Sequence, residues 1–232
     1  MLGHIKTIDL WGDSVLKGVI FDENRRRYTR LEENNAVNVL ENFGLDIRNN
    51  TKFGLTAPKA RDLMERALNK GMDSQVAVME FGGNDCDFNW REVSEHPDVE
   101  HKSNTPLEAF RQCIVDMVGL LRGKGILPVL MNLPPIDAKK YFTWISKGLN
   151  PRNILAWLGD VQRIYRHHEC YNISVMSLAG SLGCDLIDIR QPFLLQKNYS
   201  SFLCEDGIHP NREGHVLMQK TLGIYAQEKL LL

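Results

Sequence analysis

The chain has 232 residues, 43% of them hydrophobic and 25% charged, and its 28 Lys and Arg against 29 Asp and Glu give a formal net charge of -1. That length suits one α/β domain spanning residues 1–232 with a sizeable core, and the charge balance excludes the basic footprint of a nucleic-acid binder. No stretch approaches the roughly 18 apolar residues of a membrane span, and the five cysteines, odd in number and without a CxxC pair, point away from a disulfide framework or thiolate zinc site and toward free thiols in a reducing cytoplasm.

The start, MLGHIKTIDLWGDS, lacks the basic and apolar regions of a signal peptide. It looks like a mature start that enters a strand at once. Residues 5–11 form an apolar-rich run ending at Gly12 and read as a buried strand. Arg25, Arg26 and Arg27 sit beside Asp22 and Glu23 and read as a solvated loop. Residues 37–40 (VNVL) are a second strand candidate. Residues 57–70 have helical periodicity, with Pro58 near the start and Gly71 just after. Residues 75–81 (QVAVMEF) are the clearest strand, closed by Gly82 and Gly83. Residues 105–124 are the clearest helix, with Thr105 as N-cap, Glu108 three residues on and Gly125 as the stop. Residues 126–133 form another buried strand, ended by Pro134 and Pro135. A long helical region covers about 154–182, a last strand 184–189, and an amphipathic helix 214–231 closes the chain. Strands alternating with helices imply parallel pairing through crossover helices, hence a three-layer α/β/α sandwich.

In such sheets ligands bind beyond the carboxyl ends of the strands, and three polar motifs fall there. Ser14, in Gly12-Asp13-Ser14, can expose its hydroxyl at the mouth of the sheet and sit at the N-terminus of a following helix; an ordinary cap is the competing reading. In Asp206-Gly207-Ile208-His209-Pro210 the carboxylate can reach the imidazole within one turn, leaving the other ring nitrogen to take a serine proton; a plain turn with a surface histidine competes. Asn84, after Gly82 and Gly83, offers an amide donor for an oxyanion or a simple Asn turn. Gly54 offers a backbone N–H or only a turn. His209 and His215, six residues apart, do not share a helical face and lack a third metal ligand.

The order GDS near the N-terminus, GGND in the middle and DGIHP near the C-terminus resembles the SGNH (GDSL-type) hydrolase family from Ser14 to His209. Val15 stands where the family name has leucine. The α/β-hydrolases share the order Ser, Asp, His, but the G-x-S-x-G elbow is missing around Ser14. The resemblance implies a flavodoxin-like, mainly parallel five-stranded sheet. It implies a triad of Ser14 as nucleophile, His209 as base and Asp206 as its orienting acid. It also implies an oxyanion hole from the Ser14 and Gly54 backbone N–H groups and the Asn84 side chain. The activity implied is ester hydrolysis through an acyl-enzyme on a small-molecule substrate, with no metal or cofactor.

The family's range includes short acyl esters, acetylated carbohydrates, lysophospholipids and thioesters. Two insertions, residues 85–104 and 136–150, are long enough to be functional or mobile. Their aromatics, among them Trp90, Phe142 and Trp144, either line a substrate pocket or pack the loops down. The first insertion is mostly polar and makes a poor wall for a long acyl slot, so acetyl or other short acyl esters are expected. Two other readings stand beside this one. A non-catalytic flavodoxin-like binding domain would not react with an active-serine reagent. A metal-dependent phosphoesterase using Asp9, Asp13 and the histidines would be stopped by a chelator.

Overall fold

The structure, a computed structural model, describes residues 5–33 and 35–231; the first four residues of the expected N-terminal start lie outside them. The elements are β1 (Thr7–Gly12), β2 (Val19–Asp22), β3 (Arg27–Arg30), α1 (Ala36–Glu41), β4 (Asp46–Asn49), α2 (Ala57–Asn69), β5 (Val76–Glu80), α3 (Trp90–Glu95) and α4 (Leu107–Arg122). There follow β6 (Leu127–Met131), α5 (Ala138–Ile145), α6 (Pro151–Leu158), α7 (Gln162–Leu182), β7 (Asp185–Ile187), α8 (Arg190–Leu194) and α9 (Arg212–Tyr225).

Five strands form one parallel sheet in the order β4-β1-β5-β6-β7. In order of appearance this is 2-1-3-4-5, the flavodoxin-like winding. Alternation sets the two faces. Ala77 and Met79 join Phe110, Met117 and Leu178 from α4 and α7 in one core. Val76 and Val78 join Leu40, Met218 and Leu222 from α1 and α9 in the other. The sheet is therefore covered on both sides, and truncating a fully buried residue such as Met117 costs about 2–5 kcal/mol.

Three sequence expectations fail, each for a local reason. Residues 37–40 are helical within α1. The Asn35 side chain accepts from the Val37 and Asn38 amides, and this cap with Ala36 and Leu40 on one buried face decides for a helix over the ambiguous alternation VNVL. The second strand of the sheet is instead β4, DIRN, a polar edge strand flanked by the Arg48–Asp73 ion pair. Ser14 leads into no helix. The chain turns over residues 14–18, with Val19 N–H donating to the Ser14 carbonyl at 2.9 Å, and enters the antiparallel β2–β3 hairpin. Val19, Ile20, Phe21 and Tyr28 are strand formers, and they outweigh the dispersed charges at the hairpin tip. Thr105 also forms no capping box: α4 starts after Pro106 without a side-chain cap.

The two insertions are folded. The first holds α3 and the second α5, and with α6 they share a cluster around Trp90, Val93, Tyr141, Ile154 and Leu158. Asp87 ties them, accepting from Trp90 Nε1 at 2.7 Å and from Tyr141 Oη at 2.6 Å. Among the described residues, no helix is long and apolar enough to cross a membrane.

Candidate active site

Ser14 follows β1 at the carboxyl edge of the sheet, and its hydroxyl meets His209 Nε2 at 2.9 Å. His209 stands in the turn before α9. Its Nδ1 lies 2.6 Å from Asp206 Oδ2, so the three side chains form one hydrogen-bonded line. The turn that carries Asp206 and His209 is closed by Cys204 N–H on the His209 carbonyl at 2.8 Å. Gly207 sits there at φ +75, and a Cβ on it would meet the Asp137 carbonyl and Lys140 at 2.7 Å. The start of α5 is thus packed on the turn, and Asp137 N–H donates to the Gly207 carbonyl at 2.8 Å.

Asp206 is fully buried and has four donors. Oδ1 accepts the Ile208 and His209 amides at 3.0 and 3.1 Å, while Oδ2 accepts the His209 ring and the Tyr28 hydroxyl, the latter at 3.0 Å. Burial pushes this carboxyl up, but the His209 ring and the two amides outweigh it and hold it below the usual range. The carboxylate stays charged and fixes the imidazole orientation. Tyr28 is a residue that the sequence reading missed. It comes from β3, lies 5.0 Å centroid to centroid from the His209 ring, and is itself pushed far up by burial and by the Asp206 charge. Phe53 stacks parallel to the same imidazole at 6.2 Å.

Asn84 follows β5, beside β1, at the point where the winding reverses. Its Nδ2 donates to Asp13 Oδ2 at 2.7 Å and reaches toward the Leu55 carbonyl at 3.4 Å. Gly82, at φ +134, makes the turn that brings it there, with Leu133 packed where a side chain would be. Gly54 lies in the adjoining loop at φ +68. Its neighbour Phe53 lines the cavity beside Ser14, whereas Gly54 borders a separate shallow depression with Lys59 and Arg66.

That cavity holds about 170 Å³ and has Ser14, Asn84 and His209 in its lining. Its wall is largely apolar: Phe88, Leu133, Pro134, Ile136, Trp157 and Ile164 contribute, along with Trp90 and Tyr141. His167 and His168 belong to the same lining; burial depresses the His168 imidazole to about 3, so it is neutral. Of the three aromatics singled out in the sequence, Trp90 lines the cavity. Phe142 packs into the α3–α5–α6 cluster. Trp144 packs against Phe21 of the hairpin at 4.7 Å, under the Lys147 ammonium at 3.8 Å. The polar insertion 85–104 is a wall after all, because Phe88 and Trp90 line the cavity while Arg91, Glu92, Glu95, Asp98, Glu100 and Lys102 face water. Among the described residues, no group of three or more His, Cys, Asp or Glu side chains is placed to hold a metal ion. His215 is buried, with Nε2 3.3 Å from the Val19 carbonyl.

A serine hydroxyl on an imidazole, backed by a buried carboxylate and opening on an apolar cavity, is suited to acyl transfer. Residues 10–217 match the model of the GDSL-like lipase/acylhydrolase family. A comparison with curated proteins found no match. Among solved structures, a lipase/acylhydrolase from Enterococcus faecalis is similar over 96% of both chains, with 16% identity and a TM-score of 0.67. The psychrotrophic esterase EstA from Pseudoalteromonas sp. is 14% identical with a TM-score of 0.61, over 97% of this chain and 98% of that one. Est24, a carbohydrate acetylesterase from Sinorhizobium meliloti, is 13% identical with a TM-score of 0.63, over 96% and 98%. At such identities the likeness is one of fold.

Proposed function

The chain belongs to the GDSL-like lipase/acylhydrolase family and is an ester-bond hydrolase, and on that premise we propose that it works as a serine esterase through an acyl-enzyme on Ser14. The observation that carries this reading is the line from Ser14 Oγ to His209 Nε2 at 2.9 Å and from Nδ1 to Asp206 at 2.6 Å. Ser14 Oγ attacks the ester carbonyl carbon while Nε2 takes the hydroxyl proton. Asp206 holds Nδ1–H and stabilises the imidazolium. The carbonyl oxygen becomes an oxyanion, for which Asn84 Nδ2 and the Ser14 backbone N–H are the donors. One such donor supplies about 3 kcal/mol of barrier lowering. The tetrahedral adduct collapses, the C–O bond to the alcohol breaks, and Nε2–H protonates the leaving oxygen. Water then attacks the acyl-enzyme with His209 again as base, releasing the acid and restoring Ser14.

The substrate is a small ester with a short to medium acyl group. The apolar cavity of about 170 Å³ beside Ser14 supports an acyl chain longer than acetyl, yet its size speaks against a long lipid tail. The experiment is labelling with a fluorophosphonate followed by peptide mapping. Modification of the Ser14 peptide, lost in Ser14→Ala, is the expected result. An unlabelled protein that still cleaves activated esters would overturn the mechanism.

A further inference from the structure

No step of that mechanism uses Glu80, yet it is 1% exposed and belongs to the lining of the same cavity as Ser14. Sheet register puts it there: Glu80 on β5 pairs with Gly12 on β1, the residue before Asp13. Asp13, 2% exposed, is fully engaged. Its Oδ1 accepts the Val15 amide at 2.8 Å and its Oδ2 accepts Asn84 Nδ2 at 2.7 Å. Glu80 is not engaged. Among the described residues no donor reaches either of its oxygens in hydrogen-bonding geometry, and the groups near them are the Asp13 carboxyl and the amides of Asp13 and Leu16.

Ionised, Glu80 would be a buried charge without solvation, set against a second charge of the same sign. Two carboxyls placed this way do not both ionise; they share one proton. The donors decide who keeps it. Asp13 has two N–H groups to hold a negative charge, so the proton rests on Glu80. Burial first, then the Asp13 charge, push the Glu80 carboxyl well above the usual range; Asp13 is raised by burial too, but the Val15 amide and His209 pull it back. The other titratable groups facing the pair are Asp85 and Cys86 from the loop after β5 and His209 from the turn before α9.

We propose that Glu80 is a positioning residue for the oxyanion donor: its protonated carboxyl gives its hydrogen to the Asp13 carboxylate, and Asp13 in turn fixes the Asn84 amide with nitrogen toward the oxyanion site. This rests on Asn84 being an oxyanion donor, as proposed above. One Nδ2 hydrogen is committed to Asp13. The other makes only the 3.4 Å contact with Leu55, a weak bond that a charged oxygen displaces. A flipped amide would aim its own oxygen at the oxyanion. With Glu80 ionised, a second negative charge would stand by the developing one and slow the reaction.

The test compares wild type, E80Q and E80M on p-nitrophenyl butyrate. E80Q is neutral and keeps an N–H for Asp13, so its kcat is expected within about threefold of wild type. E80M keeps the length but has no donor, and its kcat is expected to fall about tenfold or more with KM changed less than about twofold. Infrared difference spectra of wild type minus E80Q at about pH 8 are expected to show a protonated carboxyl C=O band. An E80M kcat equal to wild type, or no such band, overturns the proposal. Fluorophosphonate labelling of wild-type Ser14 separates the two failures: labelled wild type with an unaffected E80M sinks the role of Glu80 alone, whereas unlabelled wild type sinks the mechanism on which it rests.

Discussion

Lengthening the acyl group of a p-nitrophenyl ester one methylene at a time loads the cavity beside Ser14, and the structure sets where the gain stops. The cavity holds about 170 Å³. A hydrocarbon-lined cavity of about 150 Å³ accepts a benzene ring, so about six acyl carbons fill this one. Each buried methylene contributes roughly 0.8 kcal/mol, about a fourfold gain in kcat/KM. Acetate to hexanoate adds about four methylenes, hence roughly 3 kcal/mol or about 200-fold at most, reduced by the cost of ordering the chain. Past hexanoate the cavity is full and the chain meets its wall, to which Trp157, Ile164, His167 and His168 contribute, so octanoate is expected to be flat and decanoate to fall. Ile164→Ala, which trims that wall, is expected to move the break to longer chains. The assay is initial-rate kcat/KM across the ester series. A constant that rises steadily through decanoate would refute the closed-cavity argument, and a series flat from acetate onward would show that the acyl group binds elsewhere.

Ser14→Ala is expected to abolish hydrolysis of p-nitrophenyl butyrate while leaving circular dichroism and melting unchanged, because only the nucleophile is lost; retained activity would refute its role. Tyr28→Phe removes the hydroxyl that donates to Asp206 at 3.0 Å but keeps the ring. Losing one hydrogen bond to a charged group is expected to lower kcat about tenfold or less, and an unchanged kcat would reduce the hairpin to a scaffold. His215→Gln tests acid stability. Burial depresses the His215 imidazole to about 4, so between that value and the ordinary 6.5 the unfolded chain holds a proton that the folded one refuses. Its stabilising share is complete above about pH 6.5 and is lost as pH falls toward about 4, at up to about 1.4 kcal/mol per pH unit. Asp85, raised by burial to about 6, acts in the opposite sense, so the readout is wild type minus variant in urea unfolding. A variant whose stability falls as steeply as wild type would refute the assignment.

The fold was legible where burial writes a continuous signal. Residues 75–81 and 126–133 are covered on both faces and contain almost nothing polar, so each run states its own strand. The β4 edge of the sheet was not legible. In β4 only Ile47 packs against the core, so DIRN carries neither an apolar run nor an alternation. VNVL failed for the opposite reason: its composition fits a strand, and the outcome turned on Asn35, one residue before the helix and two before the segment being judged. The β2–β3 hairpin was hidden because its turn, ENRR, lacks a glycine; Arg26 takes the left-handed conformation instead, at φ 51.

The groups proposed to react were legible as candidates because each sits in a short motif at a strand end, where local chemistry suffices to suggest a role. Their supports were not, because those are pairings over long distances in the chain. Tyr28 reaches Asp206 across 178 residues. Glu80 comes beside Gly12, the residue before Asp13, only through the register of two strands. Both contacts come from parts that a motif scan passes over: the hairpin between the first motif and the first helix, and the last strand residue before GGND. The insertions behave in the same way. Residues 85–104 bring Trp90 to the cavity, and residues 136–150 bring Asp137 onto Gly207 under the histidine turn. If these segments were mere decoration, shortening α5 would leave hydrolysis untouched. The contact with Gly207 instead implies that moving α5 moves His209, so the second insertion also holds His209 in line with Ser14.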